Sequence, residues 1–308
     1  MKLPKLPPKA AYLTLSNPTR RNALSHSVLR SLRDQLHSYT VSPTAWLVDA
    51  EKWRTERAGL PHVLVLRSDA SSSFSGSSGA ADVFSSGHDL RELSASGGDA
   101  ARDTFQLCAE VMSFLRRFPG PVVSVVTGLA TAAGAQLALS ADLPIACAER
   151  ASFQLPGISV LGLPCTSPVT AVSRRLGLGM GYRMFALGEP VRAADLPLSG
   201  SSNVEVVKGG QDAVEKRVAE VVEKLAAQMP AQPQALGKWA FWTQAGFGGG
   251  AGRGGRGAPR RRGRVHRGGG VGGAGHGAAC AVRGCTGGHG GVSGEEDAGM
   301  ADMSRVSD

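Results

Sequence analysis

Two segments of the 308-residue chain bring together residue types that could do chemistry. One is Phe84-Ser85-Ser86-Gly87-His88-Asp89-Leu90; the other is Gly128-Leu129-Ala130-Thr131-Ala132-Ala133-Gly134-Ala135-Gln136. Each runs from a buried strand, through a turn of small residues, to the start of a helix or loop. Small residues let a ligand approach the main chain closely. A helix start offers N–H groups without intrahelical partners and the positive end of the dipole. Two such N–H groups aimed at one point would make an oxyanion hole, in which each donor typically lowers a barrier by ~3 kcal/mol. Spacing alone does not show that the two turns converge.

Other combinations are weaker. Ser86, His88 and Asp89 are the residue types of a hydrolytic triad, but neighbours in sequence cannot form its usual arrangement. Gly177-Leu178-Gly179-Met180-Gly181 has dinucleotide-loop spacing but follows no strand. The cysteines (Cys108, Cys147, Cys165, Cys280, Cys285) form no CxxC pair. Their odd number argues for a reducing compartment, and Cys108 and Cys147 sit in apolar surroundings as small core residues. Cys280 and Cys285 with His276 and His289 lack regular metal-ligand spacing, so no metal is expected.

The elements that must position the two turns alternate between strands and helices. Tyr12 to Leu15 alternates like a strand and ends at Asn17-Pro18. Ser25 caps a helix carrying Val28, Leu29, Leu32 and Leu36. Residues 41–60 read as irregular and 71–81 as a flexible Ser/Gly/Ala loop. His62 to Arg67 reads as a buried strand, and Val122 to Val126 as one buried on both faces. Phe105, Cys108, Val111, Met112 and Leu115 mark an amphipathic helix. Leu143 to Ala148 reads as a strand, and 167–187 and 211–229 as helical. Such alternation implies an α/β fold.

About half of the 42 glycines fall between Gly246 and Gly294, and no Asp or Glu occurs between Glu223 and Glu295. A good part of the net charge of +9 is therefore tail charge, and the total is not to be read as a basic face on the folded part. Residues 246–308 have no apolar periodicity and are expected to be disordered. So abrupt a change is what an out-of-frame reading of a GC-rich gene would give, and 195–203 could mark its start. Arg253-Gly-Gly-Arg256-Gly and the Arg260–Arg262 run suggest RNA binding as an alternative function, but no aromatic is interleaved for base stacking. No apolar run is long enough to span a membrane.

NPTRRNALS at 17–25, FSSGHDL at 84–90, GLATAAGAQLALSADL at 128–143 and SFQLPGISVLGL at 152–163 resemble, in order and spacing, the signature blocks of the crotonase (enoyl-CoA hydratase/isomerase) superfamily. SSGHDL, AAGAQL and the Pro156-Gly157 pair are most similar to its enoyl-CoA hydratase domain-containing protein 3 group. The resemblance covers roughly 11–40, 62–70 and 82–195. It implies a crotonase-like (ββα) spiral fold over 11–245, with insertions near 41–60 and 71–81. It further implies an acyl-CoA partner with CoA as part of the substrate and no separate cofactor, a place in fatty-acid metabolism and a homo-oligomer (trimer or hexamer). Mitochondria are the implied location. The short N-terminus has basic residues, but its prolines preclude an amphipathic presequence helix, which leaves cytoplasm as the alternative.

Carried over residue by residue, the resemblance makes the N–H groups of Ser86 and Ala133 the oxyanion donors, with Gly87 and Gly134 giving room. Arg20, Arg21, Asn22, Ala23 and Leu24 would line the CoA side, the arginines meeting phosphates. Asp89 takes a turn-holding position beside Leu90, and His88 a variable one, either ligand contact or plain loop residue. Hydratases of the family use two glutamates; here the matching positions are Gln136 and Gly157, neither of which can act as a base. Gln136 could hold a water or a substrate oxygen, or only stabilise its helix. Losing both bases argues against hydration and leaves isomerisation, decarboxylation, thioester hydrolysis, or acyl-CoA binding without turnover.

Overall fold

The computed structural model describes residues 3–40, 49–69, 82–95, 97–161, 169–196 and 203–244. The chain divides into two units, 1–267 and 268–308, and every described residue belongs to the first. The expectations for the 71–81 loop, the tail, Cys165, Cys280 and Cys285 lie outside the described residues.

Strand β1 (Ala10–Leu15) leads to helix α1 (His26–Ser38), which buries Val28, Leu29, Leu32 and Leu36 and is capped by Ser25, whose Oγ accepts from the Val28 N–H at 3.3 Å. Helix α2 (Ala50–Arg57) follows, then β2 (Val63–Ser68), β3 (Val83–Ser85), α3 (Leu90–Ala95) and α4 (Gly98–Arg117). Next come β4 (Val122–Val126), β5 (Leu129–Thr131), α5 (Ala133–Leu139), β6 (Leu143–Cys147) and β7 (Ser152–Gln154). After a wide turn at Gly157–Leu161 run α6 (Val169–Leu176), α7 (Leu178–Leu187), β8 (Val191–Arg192), β9 (Glu205–Val207), α8 (Gly210–Glu223) and α9 (Ala231–Trp242).

The strands form two sheets, ordered β1-β2-β4-β6-β9 and β3-β5-β7-β8. All pairings are parallel except β7 with β8. From β2 to β7 the chain places one strand in the first sheet, the next in the second, then crosses back through a helix or tight turn. The result is a ββα spiral with its core between strands and helices: Leu64, Val123, Val125, Ile145, Leu137 and Phe153 are essentially inaccessible.

Several expectations are corrected. Residues 50–57 are helical, not irregular; their buried side chains are Trp53 and Arg57. Arg57 is 1% exposed and forms no ion pair among the described residues. It bonds the Tyr39 and Pro61 carbonyls and lies over the Trp53 and Phe118 rings, and burial lowers its pKa to about 10. Phe105 is 40% exposed; Thr104 and Leu107 share the buried face of α4 with the other expected residues. The helix at 211–229 is regular only to Glu223 and widens over Lys224–Gln228. A frame lost from 195–203 onward would not give structure that fits the core, yet β9 pairs with β6 and α9 docks through Ala235 against Trp53. The anchor of α9 is Asp142, which accepts from the Val122 N–H at 2.7 Å and the Trp242 indole at 2.8 Å and pairs with Lys238 at 2.7 Å.

Candidate functional site

The 17–25 block is strapped onto the end of β3. Asn22 is fully buried in the left-handed region (φ 52°). It donates to the Val83 carbonyl at 3.1 Å and accepts from the Asn17 N–H at 3.0 Å. Asn has a short polar side chain that tolerates this backbone. Ser85 Oγ donates to the Asn22 carbonyl at 2.8 Å and accepts from the Gly87 N–H at 3.2 Å, while Leu24 N–H donates to the Gly87 carbonyl at 2.7 Å. These bonds set Arg20 to Leu24 beside the 85–89 turn. Ala23 and Leu24 are buried, and Arg20 and Arg21 are exposed.

The same strap overturns one expectation. The Ser86 N–H donates to the Arg21 carbonyl at 3.1 Å, so it is occupied and is not an available oxyanion donor. Two residues on, the His88 N–H makes no hydrogen bond among the described residues. The Ala133 N–H likewise makes none, being at the start of α5. Ala132, just before it, adopts φ 50° and ψ −124°, a conformation that turns the chain sharply into the helix.

The two turns touch. A Cβ on Gly87, itself at φ 85°, would lie 2.9 Å from Ala132 Cβ and 3.5 Å from the Ala133 nitrogen. One on Gly134 would lie 2.6–2.7 Å from the Ser85 carbonyl oxygen, Cβ and Oγ. Glycine is thus required at both positions for the 85–88 and 131–134 segments to meet. Gly134→Ala should force them apart and destabilise the fold by about 1–3 kcal/mol. Urea unfolding checks this; a midpoint unchanged from wild type would mean that the contact is not tight.

Around this junction lie the remaining candidates. Asp89 accepts from the N–H groups of Arg91 (3.1 Å) and Glu92 (3.3 Å), capping α3, and stands 4.0 Å from Arg20. Leu90 is 44% exposed. Gln136 is buried, with its Nε2 unpartnered, so that amide nitrogen does not stabilise its helix. Gly157 is buried at the turn after β7, tied to the junction through the Thr131–Gln154 pairing and the Ala132 N–H to Gln154 carbonyl bond of 2.8 Å. The His88 ring stands edge-on to Phe105 at 4.9 Å. Burial lowers its pKa to about 4 against a smaller upward pull from the Leu24 carbonyl, so it is neutral at pH 7.

Sequence reasoning missed Ser85, Thr131 and Ala132. A hydroxyl ending an apolar strand just before a small-residue turn is the one signal that could have found Ser85. A cavity of about 730 Å³ lies elsewhere, between Pro4–Pro8 and α8. No group of three or more potential metal ligands occurs among the described residues.

The family model described as enoyl-CoA hydratase/isomerase matches residues 77–244. The mouse protein named enoyl-CoA hydratase domain-containing protein 3, mitochondrial, is 36% identical over 234 residues, covering 75% of this chain and 67% of the relative. The chain thus spans about two thirds of that protein's length. The 2,3-dehydroadipyl-CoA hydratase of Escherichia coli is 27% identical over 192 residues, covering 62% of this chain and 64% of the relative. The crystal structure of human enoyl coenzyme A hydratase domain-containing protein 3 superimposes with a TM-score of 0.61 at 32% identity, covering 78% of this chain and 83% of that one. With that fold, those blocks and that match, the chain belongs to the enoyl-CoA hydratase/isomerase family of the crotonase superfamily.

Proposed function

We propose that this protein binds an acyl-CoA thioester with its carbonyl oxygen between the N–H groups of His88 and Ala133. The observation that carries this reading is the pair of unoccupied N–H groups on two turns that touch through Gly87 and Gly134. Preorganised donors of this kind stabilise negative charge as it develops on oxygen. Arg20 and Arg21, exposed beside the turn, would meet the CoA phosphates. The role first expected of Ser86 passes to His88, because only the latter has a free N–H.

The reaction is one that needs oxyanion stabilisation but not two carboxylates. Gln136 has no titratable proton and Gly157 no side chain, and acid–base catalysis is worth about 10²–10⁴-fold in rate. Crotonyl-CoA should therefore bind and not be hydrated: calorimetric titration is expected to show heat of binding, and liquid chromatography should find no 3-hydroxybutyryl-CoA. Hydration at enzymic rates would sink this assignment, and absence of binding by folded protein would sink the acyl-CoA reading itself. The same two substitutions favour, as a second reading, a non-catalytic acyl-CoA binder. A mitochondrial place in fatty-acid metabolism and a trimeric or hexameric assembly are proposed from the family, the mouse relative carrying "mitochondrial" in its name.

A further inference from the structure

Five buried side-chain nitrogen or oxygen atoms have no hydrogen-bond partner among the described residues. Two are the Nε atoms of Arg57 and Arg67, whose guanidinium groups bond through their other nitrogens. The other three are His88 Nδ1, Gln136 Nε2 and Thr131 Oγ1. All three fall on the two segments that meet at Gly87 and Gly134. Leaving one such group buried and unpaired costs about 1–3 kcal/mol, so their concentration here points to a polar guest that supplies the missing partners. Together they offer two amide hydrogens, a hydroxyl and a neutral imidazole.

We propose that the His88 imidazole is the general base of this site and that water is what it activates, making the reaction thioester hydrolysis. This rests on the two-donor reading given above. Water held by the Gln136 amide and the Thr131 hydroxyl attacks the thioester carbonyl carbon. Its proton passes to the bare ring nitrogen of His88, and the oxyanion sits on the His88 and Ala133 N–H groups. The C=O bond re-forms, the C–S bond breaks, and His88 returns the proton to the leaving thiolate. The products are a carboxylic acid and CoA thiol, and no other reactant is required.

The ring stands edge-on to Phe105 at 4.9 Å. The charged groups nearby are engaged elsewhere. Asp89 faces the Arg91 and Glu92 N–H groups and Arg20; Glu92 accepts from the His26 N–H; the His26 ring contacts Thr104. Burial, not a neighbouring charge, sets the protonation of His88 and keeps its lone pair available at neutral pH.

The test uses the full chain, His88→Gln and His88→Ala, each shown by circular dichroism to be folded, with acetyl-, octanoyl- and palmitoyl-CoA. Calorimetry reads binding and a thiol reagent reads CoA release. The variants keep the backbone N–H, so binding should stay within about threefold, while thiol release should fall about 10²–10⁴-fold. The wild-type rate should be level above about pH 5 and fall as His88 protonates near pH 4. Release by the variants at the wild-type rate, or binding by the wild type without release above buffer, overturns the proposal. Absence of binding by all three folded proteins overturns the reading beneath it as well.

Discussion

Replacing Asp142 by Ala should cost about 3–5 kcal/mol of stability, the range for removing one partner of a buried ion pair. Lys238 and Asp142 are 7% and 13% exposed, and the ammonium group also bonds the Leu115 and Gly120 carbonyls at 2.9 and 2.8 Å. Burial lowers the Lys238 pKa, Asp142 opposes that, and Arg175 and Arg116 reinforce it. Without the carboxylate the ammonium is left desolvated beside two guanidinium groups, and the Val122 N–H and Trp242 indole lose their acceptor. In a domain of this size such a loss lowers Tm by roughly 10–15 °C. The double variant Asp142→Asn with Lys238→Met removes both charges and should recover most of the loss. Urea unfolding of the three proteins measures it; a loss below 1 kcal/mol for Asp142→Ala would show that α9 is not held by this pair.

The second large effect is a dependence on acid. His88 has a folded pKa of about 4 against about 6.5 in the unfolded chain. Above pH 6.5 both forms are neutral and its contribution is complete. As pH falls from 6.5 to 4 the unfolded chain takes up a proton that the folded chain does not, so stability drops. Below 4 both carry it and the loss ends. Each pH unit between the two values corresponds to about 1.4 kcal/mol, so the full drop is about 3 kcal/mol. His62, whose pKa is lowered by burial and then by Lys9 and Arg57, acts in the same direction. Comparing wild type with His88→Gln at pH 7, 5.5 and 4.5 isolates the His88 part; parallel curves would refute the depressed value.

Much of this architecture was legible in the chain. The Ser25 cap, the apolar stripe of α1 and the doubly buried VVSVV strand follow from spacing and residue type. Strands β5, β7, β8 and β9 did not, since two or three residues carry no period. Helix α2 was hidden because its sequence, AEKWRTER, has no apolar stripe and one of its two buried side chains is an arginine. The two turns singled out from residue types do touch, through Gly87 and Gly134, but the chain's residues name segments and not atoms. Which N–H of a Ser-Ser-Gly-His turn stays free depends on the Arg21 carbonyl, a contact 65 residues away that no local pattern encodes.

The spiral carries a consequence for polymer entropy. Parallel pairing of β1 with β2, and of β2 with β4, already joins Ala10 to Val63 and Leu64 to Val122, so the chain closes long loops to form each turn. The cost of closing a loop grows only with the logarithm of its length, ~0.6 kcal/mol for each doubling. Ten or twenty extra residues between such strands therefore change the closure term by a few tenths of a kcal/mol. Lengthening a surface connection between such strands is therefore cheap so long as the added residues need not order, whereas α2, which buries Trp53 and Arg57, carries an ordering cost of its own.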